Sequence, residues 1–508
     1  MELNKLEQSF KLNNFNTEDD VKIHFHSDII KPLLEELNPT MVSQYKSEDN
    51  LLAGGRTDAT FQNVSFELKK IKYFKNASGI EEALYGRNNK DHGLYDYIIS
   101  NSGVSNADRP DLIKSKLLNS IGVGFDGDSF IFARFVPSPT SHKINTDKLK
   151  IDIDVCLPVS FTYEIKNFSS GLKRLALLLK QQNKIALNKK NLISIINPKS
   201  EFVRKSIKTI YDELQFNLND LNGSTRVRTL YKEWDRVFGT MYGEDDEATS
   251  FTEVSSVIKE TYGYSEDVAI DSKVYLFALQ TFFNMFLKLL IYSFLAQLVS
   301  PTFKAENLTK PQIDKLFDGE LNKYESLVNN FFESHFMEWF TYTCLESKFD
   351  TTVVNNILDV VNQFDLSTYI LKPEEIQDIL QEVYMELIPA EMRHLMGEYF
   401  SPDWIVEHAL DLVGYKGDIE KTLIDPTAGS GTFLTHAIKR IVSKSDGKLS
   451  RNDIDKITHN VIGFDINPIS VVSAKANYIL AVFSSCDDAV FEDFADPINV
   501  PIYIADSI

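Results

Sequence analysis

Three acidic residues that each close a short apolar run are the first candidates for chemistry in this 508-residue chain: Asp425, Asp465 and Asp506. The carboxyl ends of parallel strands meet at one edge of an open α/β sheet, where ligands bind. We therefore expect the three carboxylates to face one crevice, with Asp465 placed to accept hydrogen bonds from ribose hydroxyls. Each acid taken singly is equally consistent with a turn or capping residue, but three at strand ends favour a common site.

A glycine-rich turn follows the first of these acids. Gly429 and Gly431 can adopt backbone angles that a Cβ atom forbids, and they let a ligand approach the main chain closely. Apolar residues recur at helical spacing from Thr432 onward, which predicts a strand, a tight turn and a helix. The next apolar run, 461–465, begins about 40 residues after the first, which leaves room for one crossover helix.

Four motifs occur in the order found in the gamma-type N6-adenine DNA methyltransferases, and the chain resembles that family. They are Gly397-Glu-Tyr-Phe-Ser-Pro402, Asp425-Pro-Thr-Ala-Gly-Ser-Gly-Thr-Phe-Leu434, Gly463-Phe-Asp-Ile-Asn-Pro468 and Ala505-Asp-Ser-Ile508. Within the family, the chain is most similar to single-chain type IIG restriction–modification enzymes. The resemblance implies S-adenosylmethionine as cofactor, adenine N6 in double-stranded DNA as methyl acceptor, and a role in defence against phage.

The resemblance also implies which residues hold the methionine end of S-adenosylmethionine. Tyr399, Phe400 and Ser401 are expected to contact it, with Asp425 and Gly429 lining the same pocket. The family usually has threonine where Ser401 stands, so the hydroxyl group is kept.

The nucleoside end is implied to lie against two further acids, with Asp465 binding the ribose and Asp506 holding the adenine amino group.

The chain departs from the family at the methyl-transfer site. These enzymes carry Asn/Asp-Pro-Pro-Tyr/Phe, which holds a flipped-out adenine, and no such tetrapeptide occurs in the sequence. We therefore expect an incomplete methyltransferase sheet. The chain would be a fragment, a decayed gene product or one part of a split system, with a separate or missing C-terminal part that completes methyl transfer and target recognition.

A second set of candidate residues lies near the N-terminus. Strand alternation puts Glu67 and Lys69 on one face, and Asp58 falls on the preceding strand of a predicted hairpin. Two carboxylates at this separation can hold Mg²⁺, which prefers hard oxygen ligands. The metal would polarise a phosphodiester and activate water, while the lysine positions that water or offsets charge. The segment resembles the PD-(D/E)xK nucleases, the N-terminal domain of type IIG enzymes, with Asp58 and Glu67 as metal ligands.

The alternative for this segment is a solvated strand face, because roughly three Glu-x-Lys triplets are expected by chance in a chain of this length. Indeed Glu164-Ile-Lys166 and Glu346-Ser-Lys348 also occur. The acid that precedes Glu67 favours the metal site. We expect the preceding helix, Ile23 to Leu37, to add Glu35 or Glu36, and a later hairpin over 122–135 to extend the same sheet.

Composition limits the remaining functions. The net charge of −20 opposes DNA binding by the chain as a whole, but binding is local. Between Lys166 and Lys208 there are eleven Lys and Arg residues and one acid, Glu201, which fits either a surface that follows a phosphate backbone or a solvated helix face.

Three scattered cysteines and an N-terminus without a signal-peptide pattern predict a cytoplasmic protein. The apolar stretch 274–299 is long enough to span a bilayer, but its polar interruptions favour a buried helix and no membrane.

These observations predict a multidomain α/β and α fold. Residues 1–160 would form an α+β nuclease-like domain, residues 161–380 a rigid helical connector, and residues 381–508 the N-terminal half of a Rossmann-like, class I methyltransferase domain. A competing hypothesis makes the chain a non-catalytic subunit of a split phage-defence methyltransferase system, which binds only DNA or a partner.

Overall fold

The chain forms two compact units, Met1–Gln182 and Asn183–Ile508. The computed structural model describes residues 3–37, 39–47, 57–88, 91–151, 153–181, 184–242, 247–301, 303, 305–319, 327–333, 336–343, 349–366, 378–395, 401–445, 448–486, 488–491 and 496–506. Tyr399 and Phe400, predicted to contact the cofactor, lie outside these ranges.

The first unit is built on a six-stranded mixed sheet in the order β1-β2-β3-β4-β5-β6. Its strands are β1 (Tyr45–Ser47), β2 (Ala59–Phe61), β3 (Val64–Leu68), β4 (Ile121–Phe125), β5 (Ser129–Lys143) and β6 (Cys156–Asn167). Strands β3 and β4 pair in parallel, whereas the other neighbours are antiparallel. Both predicted hairpins, β2–β3 and β4–β5, are confirmed, and both belong to this sheet.

Helices flank the sheet of the first unit. They are α1 (Leu3–Lys11), α2 (Glu18–His24), α3 (Lys31–Leu37), α4 (Ala77–Tyr85), α5 (Leu94–Asn101), α6 (Pro110–Leu118) and α7 (Phe168–Gln181). A π-helical segment, Phe25–Ile30, joins α2 to α3. Helices α4 to α6 form the crossover that the parallel pair β3–β4 requires. The unit extends past the predicted boundary at residue 160, because β6 pairs with β5 along its length and continues into α7.

The second unit is mainly helical. Its helices are α8 (Lys189–Ile195), α9 (Glu201–Asn219), α10 (Thr225–Tyr242), α11 (Glu247–Tyr262), α12 (Ser272–Val299), α13 (Lys310–Phe317), α14 (Phe349–Val361), α15 (Ile379–Leu387), α16 (Ala390–Leu395), α17 (Asp403–Leu412), α18 (Thr432–Lys444), α19 (Arg451–Asn460) and α20 (Pro468–Phe483). Its strands are β7 (Ile185–Ala186), β8 (Phe364–Asp365), β9 (Leu423–Asp425), β10 (Val461–Asp465) and β11 (Ile502–Ile504).

Helix α12 is the central element of this unit. Every residue from Val274 to Leu298 is buried, and one continuous apolar core runs from Leu187 to Ile502. The helix is long and apolar enough to cross a membrane, yet its apolar window is entirely buried inside the unit. The predicted buried helix is confirmed, and two of its polar residues have buried partners: Gln280 accepts from Trp234 Nε1 at 2.8 Å, and Asn284 donates to Glu338 at 2.8 Å.

Three parallel strands form the larger sheet of the second unit, in the order β11-β10-β9, and β7 and β8 pair in a separate two-stranded sheet. Gly463 of β10 lies between Asp425 of β9 and Ile502 of β11. The predicted parallel strands at 423–425, 461–465 and 501–506 are therefore confirmed, although β11 ends at Ile504, two residues before Asp506.

The buried ion pair between Lys288 and Glu338 generates a prediction about stability. Both side chains are completely buried, and Asn284 also depends on the Glu338 carboxylate. Glu338→Ala would leave the lysine charge buried without a counter-ion, and we expect it to lower the free energy of unfolding by about 3–5 kcal/mol. All three tryptophans lie in the second unit, so urea titration followed by tryptophan fluorescence measures the loss.

Two controls accompany this prediction. The exposed pair Arg236–Glu233 contributes little in water, so Glu233→Ala should leave the free energy of unfolding nearly unchanged. The double substitution Lys288→Met with Glu338→Met should recover most of the loss, because it removes both buried charges. A Glu338→Ala protein as stable as the wild type would contradict the prediction.

Candidate functional site

The carboxyl edge of the three-stranded sheet brings Asp425 and Asp465 close together. Asp425 pairs with Gly463, two residues before Asp465 on the adjacent strand. Asp506 follows β11, the third strand of the same parallel sheet, and is exposed. The expected convergence of three acids at one sheet edge is thus compatible with the strand directions.

The glycine turn between β9 and α18 lies directly against this edge. Gly429 has φ +53° and Gly431 has φ +85°, a left-handed region that favours glycine. A Cβ atom on Gly431 would lie 3.1 Å from Ala474 of α20, whereas one on Gly429 would meet nothing within 4 Å. Gly431 is therefore needed for helix packing, and Gly429 presents its main chain to open space, where a ligand can approach.

Asp465 holds the turn from the strand side. Its Oδ2 accepts from the Gly429 amide at 2.8 Å, and its Oδ1 accepts from the Asn467 amide at 2.8 Å. Burial raises the pKa of Asp465, although these two amides act in the opposite direction. The carboxylate thus fixes the turn, and each oxygen keeps a lone pair for a further donor.

Asp425 has one oxygen without a partner. Its Oδ1 accepts from the Thr427 amide at 3.1 Å, while Oδ2 is buried and has no hydrogen bond. Burial raises the pKa of Asp425, and the neighbouring charge of Asp465 raises it further. A buried acceptor that lacks a donor is costly, so this oxygen is a natural contact for a bound ligand.

The segment that carries Ser401 is joined to the glycine-turn helix by charged side chains. Ser401 is partly buried and precedes α17, which begins at Asp403. On α18, His436 Nδ1 contacts Glu407 of α17 at 2.6 Å, and Arg440 Nη1 donates to Asp411 of α17 at 2.9 Å. These contacts hold α17 against α18, the helix that follows the turn.

A carboxylate that the sequence reasoning missed holds the other side of the turn. Asp378 precedes α15 and is 1% exposed. It accepts hydrogen bonds from Ser430 and Thr432 in and after the turn, and from Asn477 of α20 at 2.6 Å. Burial raises the pKa of Asp378 despite these bonds. The only sequence signal was an acid at the N-cap position of an apolar helix, which commonly has a purely local role.

In the first unit, the hairpin β2–β3 places the other predicted acids opposite each other. Ala59 pairs with Phe66 across a two-residue turn at 62–63, so Asp58 faces Glu67 at the next position of the ladder. Lys69 Nζ lies 2.6 Å from Glu67 Oε1, and Asp58 Oδ2 accepts from the Leu68 amide at 2.6 Å. The structure therefore brings Asp58, Glu67 and Lys69 together.

Glu67 is the most perturbed acid of this cluster. The pKa of Glu67 is raised to about 7: burial and the charges of Asp58 and Glu18 raise it, while Lys69 lowers it. Burial and the nearby charges of Glu67 and Asp58 also raise the pKa of Tyr97. Each carboxylate has a lysine counter-ion, Lys69 at Glu67 and Lys22 at Asp58, which offsets the repulsion between like charges that face each other in a sheet.

Two residues of helix α2 join the cluster in place of the predicted Glu35 or Glu36. Lys22 Nζ lies 2.7 Å from Asp58 Oδ1 and 3.2 Å from Glu18 Oε1. Glu35 is exposed and pairs instead with Lys31 at 4.0 Å. The helix was expected to begin at Ile23, which left Glu18 and Lys22 outside it.

The true helix start was visible in the sequence. A capping box formed by Thr17 and Asp20 begins the helix at Glu18. This earlier start supplies an additional turn, which carries Glu18 and Lys22.

The other Glu-x-Lys triplet that the structure describes in this unit has a different environment. Across the sheet, Glu67 of β3 pairs with Gly124 of β4, which pairs with Ile131 of β5, which pairs with Ile165 of β6. Ile165 therefore lies on the same face of the sheet as Glu67. Its neighbours Glu164 and Lys166 point to the opposite face, because side chains alternate along a strand. Lys166 is buried, and Glu164 pairs with Arg174 at 2.5 Å. Among the described residues no group of three or more His, Cys, Asp or Glu side chains has the arrangement of a metal site.

The comparisons with known proteins concern mainly the second unit. Residues 375–493 match the family model described as N-6 DNA Methylase. No curated protein sequence matches the chain. Among solved structures, the chain is similar to DrdV in the cryo-EM structure of its DNA complex, with a TM-score of 0.30 and 11% identity over 99% of this chain and 40% of that one.

The chain is also similar to the ATP-dependent Type ISP restriction–modification enzyme LlaBIII bound to DNA. The TM-score is 0.30, with 12% identity over 66% of this chain and 19% of that one. The chain thus spans less than half the length of either protein. The family match identifies residues 375–493 as an N-6 DNA methylase domain.

Proposed function

We propose that this chain supplies the S-adenosylmethionine site of a restriction–modification enzyme that methylates adenine N6 in double-stranded DNA. The observation that carries the proposal is the glycine turn held by Asp465, inside the segment that matches the N-6 DNA Methylase family. The turn, the two strand-end acids and their order along the chain together fit a nucleoside-bearing ligand.

The residues present fit this cofactor. The unpaired Oδ2 of Asp425 offers an acceptor, and the open space over Gly429 offers room for a ligand against the main chain. Asp465 would accept from the ribose hydroxyls, Asp506 from the adenine amino group, and Ser401 would contact the methionine end. When bound, S-adenosylmethionine supplies an electrophilic methyl group.

The second part of the proposal concerns the target adenine. No Asn/Asp-Pro-Pro-aromatic tetrapeptide occurs in the 508 residues, so we propose that residues from a separate or continuing polypeptide hold the base. An exposed face of the parallel sheet supports the proposal of a further polypeptide. On that face, Ile424 of β9 is 57% exposed and Tyr503 of β11 is 46% exposed. Parallel sheets in proteins are normally covered on both faces.

We predict that cofactor binding depends on Asp465. Isothermal titration with S-adenosylhomocysteine should show binding to the wild-type chain and at least about tenfold weaker binding to Asp465→Ala, because charge-assisted hydrogen bonds are lost. Asp455→Ala is the matched control, since Asp455 is an exposed acid of the same unit that pairs with Arg451. Absence of binding to the folded wild-type chain would refute the cofactor assignment.

Methyl transfer by the isolated chain is a separate test. We expect no transfer of labelled methyl groups to plasmid DNA, because the residues that hold the adenine are missing. Addition of a polypeptide that carries the Asn/Asp-Pro-Pro-aromatic motif should restore transfer. Transfer by the 508-residue chain alone would contradict this part of the proposal.

We further propose that the first unit is a Mg²⁺-dependent DNA nuclease. Asp58 and Glu67 would be the metal ligands, and Lys69 would position the attacking water or offset negative charge. One or two carboxylates and several waters are a common donor set for Mg²⁺, and metal binding would displace Lys22 from Asp58 and Lys69 from Glu67. When bound, Mg²⁺ polarises the scissile phosphodiester and lowers the pKa of a coordinated water.

Part of the predicted basic surface is already engaged within the protein. Lys166 is buried against Glu164, and Lys205 and Lys208 pair with Glu201 and Asp212 on α9. We therefore assign the contact with double-stranded DNA near the cluster to the lysines that follow Glu67. Lys75, for example, is exposed and lies 3.9 Å from Asp128, a weak surface pair.

We predict that Mg²⁺-dependent nicking of plasmid DNA is lost in Asp58→Asn, Glu67→Gln and Lys69→Met. The first two remove metal ligands, and the third removes the charge that faces Glu67. Glu164→Gln is the matched control, because its triplet lies on the opposite face of the sheet, and it should nick like the wild type.

Equal nicking by all four variants would remove these residues from the chemistry. The nicking assay should be repeated after addition of the polypeptide that carries the Asn/Asp-Pro-Pro-aromatic motif. DNA binding without nicking in both assays would favour the competing hypothesis of a non-catalytic binding subunit.

A further inference from the structure

We infer that Asp378 is a positioning residue for the cofactor site, and this inference rests on the proposed binding of S-adenosylmethionine. Asp378 does not reach the open side of the glycine turn. It acts from behind, through Ser430 and Thr432, on the backbone that the ligand would approach.

The carboxylate of Asp378 is saturated with donors. Oδ1 accepts from the Gln381 amide at 3.0 Å and from Asn477 Nδ2 at 2.6 Å. Oδ2 accepts from Thr432 Oγ1 at 2.8 Å and from Ser430 Oγ. A carboxylate offers about four acceptor positions, so all of them are used. The donors come from α15, α20, the glycine turn and the first residue of α18, and Asp378 joins all four.

The ring of hydrogen bonds also closes on the turn backbone. Asn477 Nδ2 donates to the Ser430 carbonyl at 2.9 Å as well as to Asp378. Ser430 is 4% exposed and stands between the two left-handed glycines, Gly429 and Gly431. Because Asp465 holds Gly429 from the strand side, the turn is fixed from two opposite directions.

This arrangement has a consequence for binding. Glycines lose more conformational freedom on ordering than other residues. A turn that is already ordered binds its ligand without that cost, which is how preorganisation raises affinity. The hydroxyls of Ser430 and Thr432 are therefore expected to contribute to affinity, although they face away from the ligand.

Titration of the full chain with S-adenosylhomocysteine tests the inference. Asp378→Ala should weaken binding by about tenfold or more, since charged hydrogen bonds to the turn are lost. Asp378→Asn should bind with intermediate affinity, because an amide keeps one acceptor oxygen and hydroxyls can accept from its NH₂ group. The double variant Ser430→Ala, Thr432→Val keeps the carboxylate and its bonds to Gln381 and Asn477, and should also bind more weakly.

A double-mutant cycle separates positioning from general stability. If Asp378 acts through the two hydroxyls, combining Asp378→Ala with Ser430→Ala and Thr432→Val should weaken binding no further than Asp378→Ala alone. Gln280→Ala, which removes the buried partner of Trp234 and none of the hydrogen bonds of the turn, should lower the unfolding temperature but leave affinity unchanged.

Each outcome decides between the alternatives. Wild-type affinity in the Ser430→Ala, Thr432→Val variant overturns the inference even if Asp378→Ala does not fold. Fully multiplicative losses in the cycle also overturn it. If Asp465→Ala weakens binding while the Asp378 and hydroxyl variants bind like the wild type, the cofactor site stands and only the inference fails. No binding to the wild-type chain overturns both.

Discussion

Burial of helix α12 is the constraint on which the second unit depends. A helix that is apolar on every side must be surrounded on every side, and α12 is enclosed by helices both of the connector region and of the methylase region. A single core from Leu187 to Ile502 results. Residues 183–380, which make up most of the predicted connector, therefore belong to the same unit as the strand-end acids. The polar residues of α12, Gln280, Asn284 and Lys288, are accommodated because each finds a buried partner.

The connector also reaches the strand region directly. Val328 pairs in parallel with Ile498, just before β11. Asn330 binds the backbone of Val500 through both atoms of its amide group, at 2.8 and 3.0 Å. The buried Lys475 of α20 donates to the Asn330 carbonyl at 2.6 Å. Backbone pairing of this kind fixes the register between two segments, which side-chain packing alone does not.

Sequence reasoning succeeded where a short-range rule set the geometry. A two-residue turn determines the ladder register, so the spacing of Asp58 and Glu67 was enough to place them opposite each other. Strand alternation then accounts for the contact of Lys69 with Glu67. The glycine turn was equally local, because positive φ at Gly429 and Gly431 follows from residue type.

Sequence reasoning failed where segments that are far apart in the sequence meet in the structure. Glu18 reaches the acidic cluster from another helix, and its place depended on a helix start that was set five residues too late. Asp378 lies about fifty residues from the turn that it holds, and no periodicity links the two. Such contacts are fixed by packing of whole elements, which one sequence does not reveal.

The position of Asp378 joins the glycine turn to the core of the unit. Asp378 caps α15, Tyr384 of α15 packs against Phe283 of α12 with ring centroids 5.3 Å apart, and Tyr262 of α11 donates to the Leu387 carbonyl at 2.6 Å. Each step is buried, and buried contacts are close-packed and yield little. The turn is thus connected to α12 through α15 by an unbroken series of buried contacts. Contiguous packing is a precondition for coupling between a cofactor site and a distant element, and the second unit meets it along α15.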